Sequence, residues 1–251
     1  MRSLLCTLAL TTSLAAGGAQ AFDLTQMTDD ERAAFQAEVR AYLVENPEVL
    51  VEAMRTLESR QQQAAVEKDK QIIAENSAAI FADANSYVGG NPEGDVTVVE
   101  FIDYRCGYCR KAWQEVDQLV AGDGQIRFVL KEYPILGEGS VLSSRFAISV
   151  LQLHGAEKYK EAHDALLTLR ADATPAALAR VAEDLGLDPD AIAAHMDKDE
   201  VTAVITANHQ LAATLGISGT PTFVVGDTVV RGYVPLDGMK TIVQSARDSE
   251  G

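Results

Sequence analysis

Three cysteines in 251 residues are too few for a disulfide scaffold, which spreads many more over long loops. A structural zinc site is excluded on the same ground, since no second Cys or His pair stands at finger spacing. His154 and His163 are nine residues apart, and His195 and His209 fourteen, so neither pair shares one helix face at ligand spacing. All four histidines are expected at the surface or partly buried, and no metal site and no cofactor are expected. Basic residues are also scarce: 21 Lys and Arg stand against 37 Asp and Glu, a net charge of −16. Phosphate neutralisation needs clustered Lys and Arg, so nucleic acid is excluded as a partner. An anionic membrane surface is disfavoured for the same reason. Past the N-terminus no run approaches the ~18 uninterrupted apolar residues of a membrane span, and no internal repeat or low-complexity tract is present.

What is present begins at the N-terminus. Arg2 precedes an apolar run, Leu4 to Leu14, that is too short to cross a bilayer. Ala19-Gln20-Ala21 fits a small-residue cleavage site, so residues 1–21 read as a signal peptide cleaved after Ala21. Cys6 lies inside the apolar run and not at the cleavage point, so it is neither a lipid anchor nor part of the chemistry. Removing Arg2 with the leader brings the net charge from −16 to −17, and leaves a soluble chain with two cysteines.

Residues 22–85 form a region expected to be helical. Thr28-Asp29-Asp30-Glu31 is a capping-box pattern, and Phe35, Val39 and Tyr42 follow on one face. Asn46-Pro47 marks a second helix start, with Leu50, Met54 and Leu57 continuing an apolar stripe. Such a stripe must pack on another domain or on copies of itself. Arg60 to Lys70 is almost wholly polar, so a long regular coiled coil is not supported.

Gly89-Gly90-Asn91-Pro92-Glu93-Gly94 is turn chemistry and opens the second region. Val96 to Ile102 is an apolar, β-branched run of strand length, Arg110 to Ala121 reads as a helix, and Ile126 to Leu130 reads as a second buried strand. Strand, helix and strand so spaced make a βαβ unit with a parallel pair. From about residue 138 to 216 the pattern is helical, with Thr174-Pro175 and Asp188-Pro189 each placing a cap before a first-turn proline. Thr222 to Val225 and Thr228 to Arg231 form a hairpin around Gly226-Asp227, and Leu236 to Ala246 closes the chain as a helix.

Cys106-Gly107-Tyr108-Cys109 falls between the first strand and its helix. A sulfur at a helix N-terminus is stabilised as a thiolate by the free N–H groups and the macrodipole. A second sulfur one turn on can attack a mixed disulfide. Cys106 is thus the attacking thiol and Cys109 the resolving one; a static disulfide or half a metal site is the plainer alternative.

Phe101-Ile102-Asp103-Tyr104-Arg105-Cys106-Gly107-Tyr108-Cys109, with Gly219-Thr220-Pro221-Thr222 far downstream, resembles the DsbA-type thioredoxin-fold family. The resemblance runs from about Ser86 to the C-terminus. It implies an α/β thioredoxin fold over residues 86–251 with a helical insertion at about 138–216, preceded by the helical N-terminal region. It also implies a cis bond at Thr220-Pro221, with the Thr220 backbone holding substrate beside Cys106. A matching acid and lysine in such enzymes assist the buried thiol; here they would be Glu100, costly to bury in its apolar strand, and Lys131, expected beside it. Asp103, Tyr104 and Arg105 flank the nucleophile as local support or as substrate contacts.

Gly107, Tyr108 and Thr220 resemble the corresponding positions of disulfide isomerases of the DsbC and DsbG kind. The helical region ahead of the catalytic domain resembles the suppressor-of-copper-sensitivity C (ScsC) proteins. These resemblances imply a periplasmic protein disulfide isomerase acting on unfolded or misoxidised secreted proteins, recharged by a membrane reductase, with the N-terminal helices a route to homo-oligomers. A DsbA-like dithiol oxidase is the alternative within the family. Outside it stand a Cu(I)-handling protein using the same two soft thiolates, and a module that holds unfolded chains without chemistry. Against copper, no Met or His cluster lies beside the cysteines.

Overall fold

A computed structural model describes residues 24–250. The expected leader and its cleavage point lie outside the described residues. These fall into two compact units, one ending at Arg60 and the other starting at Gln61.

In the first unit, helix α1 spans Asp29–Glu45. Its expected capping box is formed: the Thr28 hydroxyl accepts from the Glu31 N–H at 3.3 Å, and the Glu31 carboxylate accepts from the Thr28 N–H at 2.8 Å. Helix α2 spans Glu48–Glu75. α2 starts directly after Asn46-Pro47, as the sequence suggested, but the Asn46 side chain does not cap it. Asn46 closes α1, its backbone N–H and its side-chain amide both donating to the Tyr42 carbonyl. The apolar stripe Phe35, Val39, Tyr42, Leu50, Met54 and Leu57 is exposed along its whole length. The polar stretch from Arg60 to Lys70 stays helical.

The second unit is built on a five-stranded sheet in the order β1-β3-β2-β4-β5. Its strands are β1 (Tyr87–Gly90), β2 (Val96–Ile102), β3 (Ile126–Glu132), β4 (Thr222–Val225) and β5 (Thr228–Arg231). β2 and β3 are parallel, joined by α4 (Gly107–Asp123), and the remaining pairs are antiparallel. Between β3 and β4 come α5 (Glu138–Thr168), α6 (Pro175–Asp184), α7 (Pro189–Met196) and α8 (Asp199–Thr214), and α9 (Leu236–Glu250) ends the chain. This is the expected βαβ and ββα arrangement with its helical insertion.

Both faces of the sheet are covered, which explains why β2 and β3 read as continuous apolar runs. Val96, Val98, Ile102, Leu130 and Phe223 face one core, shared with α4, α5 and α9. Val99, Phe101, Val129 and Val224 face the other, closed by Ile73, Ile80 and Leu211. Ile73 and Ile80 thus belong with the sheet, although they precede its first strand. Ile80 sits on α3 (Ser77–Phe81). The inserted helices start as their sequence suggests: Thr174 accepts from the Ala177 N–H, and Asp188 from those of Asp190 and Ala191, each before a proline. Among the described residues no helix is long and apolar enough to cross a membrane.

One element went unread. Tyr87–Gly90 is an edge strand, so of the expected turn only Asn91 to Gly94 remains, where the Gly94 N–H donates to the Asn91 carbonyl at 2.9 Å. Gly90 has φ 67°, and a Cβ there would run into the Ile126 carbonyl, so its glycine serves close approach to β3. Ile80 is fully buried in the second core. Ile80→Ala should therefore lower the unfolding free energy by about 2–5 kcal/mol, read as a reduced midpoint in urea denaturation.

Candidate active site

β2 ends at Ile102, and a short loop delivers Cys106 to the N-cap of α4 with extended backbone (φ −73°, ψ 119°). That loop has little regular structure, and Asp103 holds it. Its buried carboxylate accepts from the N–H groups of Arg105 (2.8 Å), Ile135 (2.8 Å) and Leu136 (3.0 Å) and from the Ser140 hydroxyl (2.8 Å). Arg110 Nε donates to the Tyr104 carbonyl at 2.9 Å. Arg105 reaches away to the Ala171 carbonyl and to Asp172.

Cys106 and Cys109 are both free thiols. Cys106 keeps 8% of its surface, and Cys109 none. The Cys106 thiol can donate to the Thr220 carbonyl, 3.1 Å from Sγ, and the Thr220-Pro221 peptide bond is cis. As a thiolate, Cys106 gives up that donor bond and accepts from its surroundings instead. The Cys109 thiol contributes most, opposed by desolvation, and the Thr220 side chain and the Cys109 and Tyr108 backbone N–H groups add to it; together they bring Cys106 down to about 5. Cys109 moves the other way: burial first, then its hydrogen bond to Cys106 and the charge of Glu100, hold it well above the usual thiol range. Near neutral pH the pair therefore presents one thiolate with a small exposed surface and one protonated, fully shielded thiol.

Glu100 lies on the Cys109 side of β2 and is buried, its Oε1 without a hydrogen-bond partner. Burial, with the charges of Asp117 and Cys106, raises it to about 8.

Residues 97–244, more than half of the chain, match the DSBA-like thioredoxin domain family. The chain belongs to that family. Residues 31–64 match a second one, the copper resistance protein ScsC N-terminal domain. A crystal structure of a thioredoxin-like oxidoreductase from Silicibacter pomeroyi DSS-3 is 44% identical, covering 68% of this chain and 97% of that one, at a TM-score of 0.65. BcfH from Salmonella enterica Typhimurium is 29% identical, covering 87% and 96%, at a TM-score of 0.72. The chain is also 31% identical over 162 residues to Na(+)/H(+) antiporter NhaA 3 of Salinispora tropica, covering 64% of this chain but only 24% of that protein.

Within this DSBA-like domain the expected neighbours of the cysteines sort into two groups. Gly107 opens α4, with nothing within 4 Å of where a Cβ would stand, so the surface beside Cys106 stays open. Tyr108 is exposed and stacks on Tyr233, at 6.3 Å between ring centres. Lys131 requires a correction. Its register partner on β2 is Phe101, not Glu100, so it faces the other core. There its Nζ donates to Asp83 (2.6 Å) and to the Ala79 carbonyl (2.8 Å), and Glu100 is left without a cation.

His163 also departs from expectation. It is buried, and desolvation brings it down to about 3, so it is neutral. It belongs to a polar group with Tyr104, Glu132, Ser144 and Tyr159 that sequence reasoning missed. The one signal was Glu132, a second charged residue at the end of an apolar strand.

Two outcomes follow from these shifts. Cys109→Ala removes the largest stabiliser of the Cys106 thiolate, so its ionisation, followed by ultraviolet absorbance of the reduced protein, should move up from about 5 toward the free-thiol value. A depressed thiol stabilises the fold above its unfolded value, and that contribution is lost as pH falls through 5. Glu100 has the opposite sign: with a raised value, the folded state binds the extra proton, and stability falls as pH rises from 4.5 through about 8. The unfolding free energy of wild type minus that of Glu100→Gln should therefore decline across that window; a flat difference would show that Glu100 is solvated.

Proposed function

We propose that the chain is a thiol–disulfide oxidoreductase that works as a protein disulfide isomerase, with Cys106 attacking and Cys109 resolving. The observation that carries this reading is the asymmetry of the pair: a lowered Cys106 that keeps a small exposed surface beside the Thr220 carbonyl, over a raised and fully buried Cys109. The Cys106 thiolate attacks one sulfur of a substrate disulfide, forming a mixed disulfide and releasing the other sulfur as a thiolate. That thiolate attacks a different substrate disulfide and frees another substrate thiolate, which attacks the substrate sulfur of the mixed disulfide. The substrate leaves with a new pairing and Cys106 returns as a thiolate, without net oxidation. If this stalls, Cys109 loses its proton and displaces the substrate, leaving a reduced substrate and a Cys106–Cys109 disulfide. Glu100, with one unpartnered oxygen on the Cys109 side, takes this proton in its ionised form, a fraction that grows as pH rises toward about 8. The Thr220 backbone beside the cis Pro221 holds an extended substrate segment.

Isomerisation is favoured over net oxidation by Gly107, Tyr108 and Thr220, and by the N-terminal helices, whose exposed stripe from Phe35 to Leu57 is suited to joining copies of the chain. On this reading the joining region is the helical part up to Arg60, not to residue 85 as the sequence suggested, because Ile73 and Ile80 close a core of the catalytic unit. The protein works in the periplasm on unfolded or misoxidised secreted proteins, and a membrane reductase returns the pair to dithiol. A dithiol oxidase is the second reading, favoured by one observation: a thiolate as low as about 5 stabilises the reduced form and makes the disulfide more oxidising. A Cu(I) carrier would need both sulfurs as thiolates, and the raised Cys109 opposes that.

Scrambled ribonuclease incubated with the protein in a glutathione buffer distinguishes these readings. Reactivation well above the buffer rate, abolished by Cys106→Ala, is the expected result. No reactivation, combined with rapid oxidation of reduced ribonuclease, would replace the isomerase by the oxidase.

A further inference from the structure

A second buried polar centre lies at the end of β3. Glu132 is 3% exposed, and its carboxylate accepts three O–H bonds. Tyr104 (2.7 Å) and Tyr159 (2.5 Å) donate to Oε1, and Ser144 (2.7 Å) donates to Oε2. His163 Nδ1 lies 3.2 Å from the Tyr104 hydroxyl. The proton of that hydroxyl is committed to Glu132, so the neutral imidazole must be the donor, with its proton on Nδ1. Asn208 of α8 holds the Glu132 carbonyl at 3.0 Å. Tyr87 of β1 stacks on Tyr159 with ring centres 4.7 Å apart, Asp103 bears on Glu132 from the loop, and Lys160 bears on His163. The loop before Cys106, β3 and α5 thus meet at one carboxylate, and α8 holds the backbone of the same residue.

The centre is arranged for a charged acceptor. Three hydroxyls all point at it, and bonds to an ionised oxygen are roughly twice as strong as neutral ones. Protonation on Oε2 turns Ser144 from donor to acceptor and leaves both tyrosines on a neutral oxygen. Of the three donors, Tyr104 matters most for chemistry: it is fully buried, lies two residues before Cys106, and its carbonyl holds Arg110 in the first turn of α4.

We propose that Glu132 is a positioning residue for Cys106, acting through Tyr104 to hold the loop that sets the thiolate at the α4 N-terminus, and holding it more firmly when ionised. Burial raises Glu132 to about 7 against the lowering effect of its three hydroxyl donors, with Asp103 adding to the rise. The loop is therefore held above that value and loosened below it. The inference rests on Cys106 being the reactive thiol, but not on which redox reaction the protein performs.

The test is alkylation of the reduced full-length protein by iodoacetamide across pH, read by mass on the Cys106 peptide and divided by the thiolate fraction from ultraviolet absorbance. In the wild type the rate per thiolate should rise several-fold on passing up through pH 7, in a step separate from Cys106's own ionisation. Glu132→Gln and Tyr104→Phe should each remove that step while keeping the Cys106 ionisation. Both retain Glu100, so its titration cannot account for the loss. Tyr104→Phe leaves Tyr159 and Ser144 on the carboxylate and decides alone if Glu132→Gln fails to fold. A wild-type profile without the step, or a step that survives in either folded variant, overturns the inference. A present step together with no oxidoreductase turnover would instead sink the proposed function and leave this inference standing.

Discussion

A strand covered on both faces offers no water to a charged side chain, and the second unit is organised around that constraint. β2 and β3 lie at the middle of the sheet with helices on either side, yet they carry Glu100, Lys131 and Glu132, all buried. Each meets the constraint differently. Lys131 pairs with Asp83. Glu132 gathers three hydroxyls. Glu100 has one oxygen unpartnered and holds its proton to higher pH instead. The least compensated of the three is the one whose charge bears on the buried Cys109 thiol.

The same constraint splits the cysteines. They are three residues apart on one helix start, with similar intrinsic chemistry, yet their environments push them in opposite directions. Cys106, at the N-cap, faces N–H groups and the Cys109 thiol. Cys109, one turn deeper, faces the sheet and Glu100. Desolvation opposes ionisation at both, but donors outweigh it only at Cys106. The helix start and the buried strand beneath it therefore act together: neither alone would make one thiol reactive and the other silent.

Much of this was legible in local sequence. β2 and β4 stand where their β-branched runs end, because a strand buried on both faces leaves an uninterrupted apolar pattern, while β5, an exposed to half-buried edge strand, is marked by the Gly226-Asp227 turn before it. Thr28, Thr174 and Asp188 cap the helices they precede, since a cap is a short-range bond between neighbours. Reading failed where the cause was remote. Gly89 and Gly90 look like a turn until β3 approaches them, and Asn46 looks like the cap of α2 until its amide turns back to Tyr42. Lys131 looks like a neighbour of Glu100 until the register is known, because a strand's faces alternate and nothing local states which residue of β2 lies opposite it.

The braces of the cysteine loop were harder still to read. Asp103 bonds backbone N–H groups 32 and 33 residues away, and Glu115 bonds the Leu236 N–H and the Tyr233 hydroxyl more than a hundred residues away. Tyr233 in turn stacks on Tyr108, with Lys111 over its ring at 4.2 Å. Two carboxylates thus hold the two flanks of Cys106, one toward the helical insert and one toward α9. A backbone N–H carries no side-chain signature, so such acids are indistinguishable in sequence from solvated ones. The acidic surplus that argues against nucleic acid at the surface has a second use inside, where acids pin loops that have no regular structure of their own. A bond to an ionised acceptor is worth more than one to a neutral group, and it is worth most where water is absent. The segment that must hold a thiolate in place is therefore tied down by two carboxylates through their N–H and O–H donors, and neither is among the groups that shift Cys106.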